Sequence, residues 1–408
     1  MIPLAPIPPA AATYPLDPVA ATRAYLATLS PEAHAKSDAY FEGGYWLLLV
    51  GFVVTAAIQL LLLQTGASAR MRDVARKVTS VAAVHAILYW VLYTLVTTVL
   101  SFPLTLYTDF FREHAYGLSN MTFGAWMGDQ SKGLLVGLVA GSIFLPLLYT
   151  VLRRAKRTWW LWGTAVSLAF LMFFVAVAPV YVAPLFNKYE AVTDEAVRGP
   201  ILSMARANGI SATDVWEFDA SKQSNKVSAN VSGLFGTERI SLNDNLLSRC
   251  STEGIQAVMG HEMGHYVLNH IFKMMLELGL IIVFGFALTS YFFERIRARF
   301  GGKWRIEGVD DLAAFPLLVL LISTYMFLMT PILNTMTRTQ ESEADIFGVN
   351  ASQQPDGMAQ VALKLAEYRK LDPGVIEEFL FFDHPSGRNR IEMAMRWKAE
   401  HMGAAPKR

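Results

Sequence analysis

Six stretches without Asp, Glu, Lys or Arg constrain this 408-residue chain more than any other feature: residues 43–69, 78–108, 133–152, 158–187, 278–293 and 312–337. An α-helix rises 1.5 Å per residue, so about 20 apolar residues cross a hydrocarbon core of about 30 Å. Five of the stretches are long enough by themselves, and the mostly apolar residues 271–277 complete 278–293. Runs this long and continuous specify helices, because lipid leaves backbone groups no partner outside their own segment. The chain therefore reads as a predominantly α, polytopic membrane protein with about six transmembrane helices, and the bilayer is its first partner. A charged fraction of 17% agrees; soluble domains carry about 25%. A formal net charge of +1 gives no field for a phosphate backbone, so no nucleic acid partner is expected. The single cysteine, Cys250, excludes an intrachain disulfide.

The spans divide the chain into five segments. Residues 1–42 are a polar, Pro-rich lead-in that reads as flexible, with a short helix within 18–29 and no signal-peptide pattern. Residues 43–187 hold four spans, 188–270 a first water-compatible part, 271–337 a membrane hairpin and 338–408 a second water-compatible part. Three short runs with β-favouring residues, 214–220, 226–234 and 237–244, suggest a small antiparallel sheet. From Thr252 the helical pattern runs unbroken into the fifth span, and helices are expected over 338–370 and 390–400. Trp46, Trp159, Trp160 and Tyr181 lie near span ends and suit an interfacial belt, with packing inside the bundle an equally good reading for any single one.

The chemistry concentrates in His261-Glu262-Met263-Gly264-His265. Two histidines at i and i+4 differ by about 40° around a helix, so both imidazoles can face one tetrahedral Zn²⁺. Glu262, about 100° round, can reach water at the metal without taking a coordination position, as a general base must. His270, nine residues from His261, is expected on the opposite face as a structural group. A catalytic zinc needs a third protein ligand. Glu341 and Asp345 share a helical face downstream, where one can ligate while the other accepts a hydrogen bond from a ligand histidine; Glu343 points elsewhere and reads as solvated. Two spans separate His265 from Glu341, and an even number of crossings returns the acidic helix to the side of the histidines.

These residues carry a resemblance. From about residue 42 to 397 the chain resembles the type I CAAX prenyl endopeptidase family of integral-membrane gluzincin zinc metallopeptidases. The likeness rests on the segment around His261 and His265, on the spaced residues Asn334, Thr337, Arg338, Glu341, Ala344 and Asp345, and more weakly on residues 183–186, 221–230 and 384–391. It implies a ring of helices around a chamber capped by a small α+β zincin-like catalytic domain, with one Zn²⁺ per chain held by His261, His265 and Glu341. Glu262 would be the catalytic base and His384 the group that holds the scissile carbonyl. Asp345, Asn334, Arg338 and Arg390 would support the centre, and Lys226, Val227, Ser228, Ala229 and Asn230 would bind substrate as an edge strand. Here Ser228-Ala229 replaces the family's Asn-Ala pair and Lys226 stands where a histidine is usual. His85, Lys273 and Glu277 are plausible interior groups, since ionisable residues rarely face lipid; an i, i+4 pair suits the last two equally.

The resemblance implies a peptide or protein substrate, prenylated at its C-terminus, and a membrane of the bacterial inner or endoplasmic reticulum type. Broad turnover of membrane proteins is the alternative within proteolysis; an intramembrane-cleaving protease, or a transporter or lipid-binding protein with a vestigial metal site, stands outside it. Loops after the odd-numbered spans carry 13 Lys and Arg against 4 on the other side. Positive-inside counting places those 13 in the cytoplasm and the metal opposite, whereas the resemblance turns the metal to the cytosol.

Overall fold

The computed structural model describes residues 4–233 and 238–402. In chain order the helices are α1 (Pro9–Ala12), α2 (Pro18–Leu26), α3 (Pro31–Gln64), α4 (Ala67–Val78), α5 (Ala82–Leu106), α6 (Glu113–Ala115), α7 (Phe123–Arg154), α8 (Trp159–Val177), α9 (Glu195–Ala207), α10 (Asp244–Arg249), α11 (Thr252–Val267), α12 (His270–Trp304), α13 (Phe315–Ser352), α14 (Pro355–Leu365), α15 (Val375–Phe381) and α16 (Gly387–Met402). Among the described residues six of these are long and apolar enough to cross a membrane: α3, α5, α7, α8, α12 and α13, the last two joined as a hairpin. With their short continuations they run 27 to 41 residues, more than about 30 Å of hydrocarbon requires. Packing joins α3 to α5, α5 to α7, α7 to α8, α8 to α12, α12 to α13 and α13 back to α3, a closed ring.

One end of the ring is plugged. Leu62, Leu63, Tyr89, Leu145, Tyr149, Leu152, Phe293, Leu317 and their neighbours form a buried core there. The amphipathic α4 closes it, with Arg72 Nη1 2.6 Å from Asp311 Oδ2 and Ser68 Oγ 2.7 Å from Tyr89 Oη. His85 turns its Nε2 to the Thr79 carbonyl, so it serves the turn before α5 and not an interior. Trp159 is buried in this core and Trp160 packs on it, whereas Trp46 and Tyr181 are exposed. The aromatic belt thus keeps two of its four expected members; position near a span end did not separate the packed rings from the exposed ones.

At the other end sits the α+β part. Its strands are β1 (Tyr189–Ala191), β2 (Val215–Phe218), β3 (Ala229–Ser232) and β4 (Arg239–Asn243), in the order β1-β2-β4-β3. The expected antiparallel sheet is mixed: β2 and β4 run parallel, because the chain passes through β3 before β4 returns beside β2. Alternation identifies strands, not their direction of pairing. Leu234 and Thr237, ends of two expected runs, lie outside the described residues. The lead-in is also not loose: Ala11, Leu16, Ala21, Tyr25 and Leu29 are buried against α14 and α16, and Tyr25 Oη donates to Asp356 at 2.8 Å. Sparse apolar residues in a Pro-rich segment hid this.

Helix α11 starts at Ser251, whose Oγ accepts from the Gly254 amide at 3.2 Å. It does not run unbroken into the fifth span. Asn269 adopts φ 56°, a left-handed conformation that asparagine tolerates, and α12 restarts at His270. Helix α13, by contrast, is both sixth span and acidic helix, continuous to Ser352.

The two helices cross at backbone contact. A Cβ on Gly260 would lie 2.7 Å from the Gly348 carbonyl oxygen, and one on Gly348 would lie 2.7 Å from the His261 amide nitrogen. Gly264 faces Ala344 in the same way. Gly348→Ala must push two backbones apart and is expected to cost about 1–3 kcal/mol. It should lower the thermal midpoint and weaken metal binding together, measured by melting with and without added Zn²⁺; an unchanged midpoint would contradict the crossing.

Candidate metal centre

The crossing brings the half-sites together. His261 Nε2 lies 3.1 Å from His265 Nε2 and 3.2 Å from Glu341 Oε2, and His265 Nε2 is 3.4 Å from Glu341 Oε1. Ligand atoms at about 2.05 Å around a tetrahedral ion stand about 3.3 Å apart, so the three donors fit one metal. Glu341 Oε2 is buried and accepts no hydrogen bond among the described residues, although it stands against two histidines. That orphaned atom is what a missing cation would satisfy. These are the residues that can hold a metal ion as a group.

Around them the support is specific. His261 Nδ1 lies 2.7 Å from Asp345 Oδ1, and Arg390 Nε donates to Asp345 Oδ2 at 2.8 Å. Asp345 is 2% exposed, so its two partners replace water fully. His384 follows α15; its Nδ1 is 2.8 Å from Asp383 Oδ1 and its Nε2 3.3 Å from Glu341 Oε2. Asn334 and Arg338 act one step away. Asn334 Nδ2 donates to the Leu380 carbonyl at 2.8 Å, and Arg338 donates to the Glu378 and Phe382 carbonyls, fixing the segment that carries His384.

A cleft of about 240 Å³ opens over the centre, lined by Val227, Ser228, Ala229, His261, Glu262, His265, Glu341, Arg369 and His384 among others. β3 is one edge of the described sheet, with β1 at the other. Of the five expected edge residues, Ala229 and Asn230 lie within β3 opposite Leu242 and Ser241, while Lys226, Val227 and Ser228 precede the strand, Lys226 turning to Glu113 Oε2 at 2.8 Å.

Four acidic and basic groups also differ from expectation. His270 does not face away from His261 and His265; the break at Asn269 turns it back, with Nδ1 2.9 Å from His265 Nδ1. Counting 100° per residue fails across a left-handed residue. Glu343 is not simply solvated, since it meets His270 and Lys273. Lys273 and Glu277 do not pair with each other: Gln340 Nε2 donates to Glu277 at 2.8 Å. Sequence reasoning missed Asp383 and Arg369, whose guanidinium lies 3.3 Å from His384 Nε2. Asp383 could have been noticed as the acid directly before His384; nothing marks Arg369.

Residues 191–398 match the model of peptidase family M48, and 19–188 match the CAAX prenyl protease N-terminal region, described as having five membrane helices. Four long apolar helices occupy that range here. The chain is 26% identical over 368 residues to YhfN of Bacillus subtilis, an uncharacterized metalloprotease, with 90% of this chain and 86% of that protein covered. CAAX prenyl protease 1 of Saccharomyces cerevisiae is 25% identical over 315 residues, 72% of this chain and 68% of that one. The crystal structure of Ste24p from S. mikatae shares the fold, with a TM-score of 0.77, 20% identity and 90% of each chain covered. Spans, donor cluster and these likenesses define a multi-pass integral-membrane metalloendopeptidase, a hydrolase. The chain belongs to peptidase family M48, in its CAAX prenyl protease 1 group.

Burial alone would lower the His261 imidazole, but the Asp345 and Glu341 carboxylates beside it push it up to about 9. Asp345 holds the Nδ1 hydrogen, so in the metal-free protein Nε2 keeps a proton that a metal must expel. Metal affinity is therefore expected to weaken as pH falls below about 9, by up to about tenfold per unit from this one group. Competition with a chelator of known pH dependence checks it; a pH-independent affinity between about pH 6 and 9 would contradict the arrangement.

Proposed function

We propose that the chain is a zinc-dependent endopeptidase, one Zn²⁺ per chain, held by His261, His265 and Glu341, that processes C-terminal prenylated CAAX-type peptides. One observation carries the reading: three converging donors, a neighbouring carboxylate, a late histidine and an edge strand share a single cleft. Two imidazoles and one carboxylate with a position left open are a catalytic zinc donor set. When bound, zinc acidifies water at that position and polarises a carbonyl.

The residues do the remainder. Glu262 takes the proton of the attacking water and returns it to the leaving amine. Burial raises its carboxyl above the ordinary value against the opposing pull of His261 and His265, the direction that suits a group that must both accept and return a proton. Asp383 accepts from His384 Nδ1–H, and it is the doubly protonated ring, with a second hydrogen on Nε2, that can donate to the carbonyl oxygen as charge develops. Val227, Ser228 and Ala229 present an edge to which a peptide backbone adds as a further strand. Residues 188–270 and 338–408 are the two halves of one catalytic domain, joined through the hairpin at 271–337. The prenylated substrate is supported by the group's relatives named as CAAX prenyl proteases.

Glu262→Gln is expected to abolish cleavage with metal content unchanged, and His384→Ala to lower kcat by about 10²–10³. Mass-spectrometric mapping of cuts in a farnesylated CAAX peptide and its unlipidated twin tests both chemistry and substrate. Full activity in Glu262→Gln would sink the mechanism; equal cleavage of the two peptides would point to broader turnover.

A further inference from the structure

The two ligand histidines have different outer partners. His261 Nδ1 meets a carboxylate, Asp345, which can only accept, so once Nε2 gives up its proton the remaining hydrogen sits on Nδ1 and the lone pair on Nε2. His265 meets no carboxylate at Nδ1. It meets another imidazole, His270, at 2.9 Å, and a contact between two ring nitrogens holds one hydrogen. If His270 donated it, His265 would carry its own hydrogen on Nε2, the atom that faces His261 and Glu341, and could not ligate.

The far side of His270 decides the direction. Its Nε2 lies 3.0 Å from Glu343 Oε2, and Lys273 Nζ stands 3.0 and 2.9 Å from the two Glu343 oxygens. A carboxylate paired with an ammonium only accepts, so His270 Nε2 carries the hydrogen. The neutral ring then has its lone pair on Nδ1 and accepts from His265 Nδ1–H. His265 Nε2 is left with the lone pair a metal requires. His270 is 3% exposed, so water cannot replace it in this role.

We propose that Lys273, Glu343 and His270 form a hydrogen-bond relay that sets the tautomer and orientation of His265 as a metal ligand, with His270 and Glu343 as positioning residues. The inference rests on the metal-centre reading above. The relay joins the start of α12 to α13, so the ligand geometry is tied to the registry of the membrane hairpin.

The test is Zn²⁺ affinity of the full-length purified protein by chelator competition, with Co²⁺ absorption as a report on ligand geometry. His270→Ala and Glu343→Ala are each expected to weaken binding by about 10–100-fold and to alter the Co²⁺ bands. Glu343→Gln keeps an oxygen that accepts from His270 Nε2–H, and His270→Asn keeps one that can accept from His265 Nδ1–H; both are expected to retain most of the affinity. Because His270 is buried its alanine variant can misfold, and Glu343→Ala, at a side chain 43% exposed, then decides alone. Affinity within about twofold of wild type in Glu343→Ala would overturn the relay. So would equal losses in Glu343→Gln and Glu343→Ala, since charge and not the accepting oxygen would then matter. No metal bound by wild type would instead overturn the metal-centre reading.

Discussion

The contact of α11 with α13, glycine on glycine, is the constraint on which the rest depends. With Gly260 against Gly348 and Gly264 against Ala344, two helices approach at backbone distance just where one carries His261 and His265 and the other Glu341 and Asp345. Helices separated by ordinary side chains pack about 8–10 Å apart; here the backbones come closer, and the His261, His265 and Glu341 donor atoms meet at 3.1–3.4 Å. Small residues at i and i+4 on both partners are therefore as much part of the centre as the donors. Glycine is unfavourable inside a helix by about 0.5–1 kcal/mol, and its presence here at several facing positions follows from the geometry.

The membrane hairpin makes that contact possible. Helix α13 is continuous from the plugged end of the ring through Pro331 to Asp345, so the acidic half-site follows the span. α11 and α12 are separated by the left-handed Asn269, which frees α11 to follow the sheet while α12 follows the bilayer. The plug at the other end also gives the basic loops a structural task. Arg72 holds Asp311, Arg305 reaches Asp73, and Lys156 lies 2.8 Å from Asp310. Part of the charge asymmetry thus closes the ring, which weakens its use as a pure signal of orientation.

What was legible in the sequence had a period or a fixed spacing. Uncharged runs gave six spans, and the i, i+4 spacings of His261 with His265 and of Glu341 with Asp345 gave the two faces that meet. What was not legible depended on one residue's backbone or on partners distant in sequence. Asn269 looks like any polar residue between helical segments, yet its φ reverses the face of His270. The direction of β4 against β2, the packing of the lead-in on α14 and α16, and the turn of Lys226 toward Glu113 are all tertiary choices. Gly348 could have been noticed, since it lies seven residues after Glu341, two helical turns along the same helix.

The cleft has a charge arrangement that accounts for how a single helix face can serve both ground state and reaction. In the free protein His384 Nε2 faces Glu341 Oε2 at 3.3 Å, with the Arg369 guanidinium equally close. A carboxylate that held a metal would have less negative charge to offer an imidazole, so under the proposed mechanism a loaded centre would leave His384 Nε2 to a substrate oxygen. Arg338 and Asn334 meanwhile hold the backbone of residues 378–382, so the ring is released without the segment moving. His384 is thus placed by α13 through backbone carbonyls, and under the proposed mechanism the helix that carries Glu341 would also set the distance from the metal to the group that holds the carbonyl oxygen.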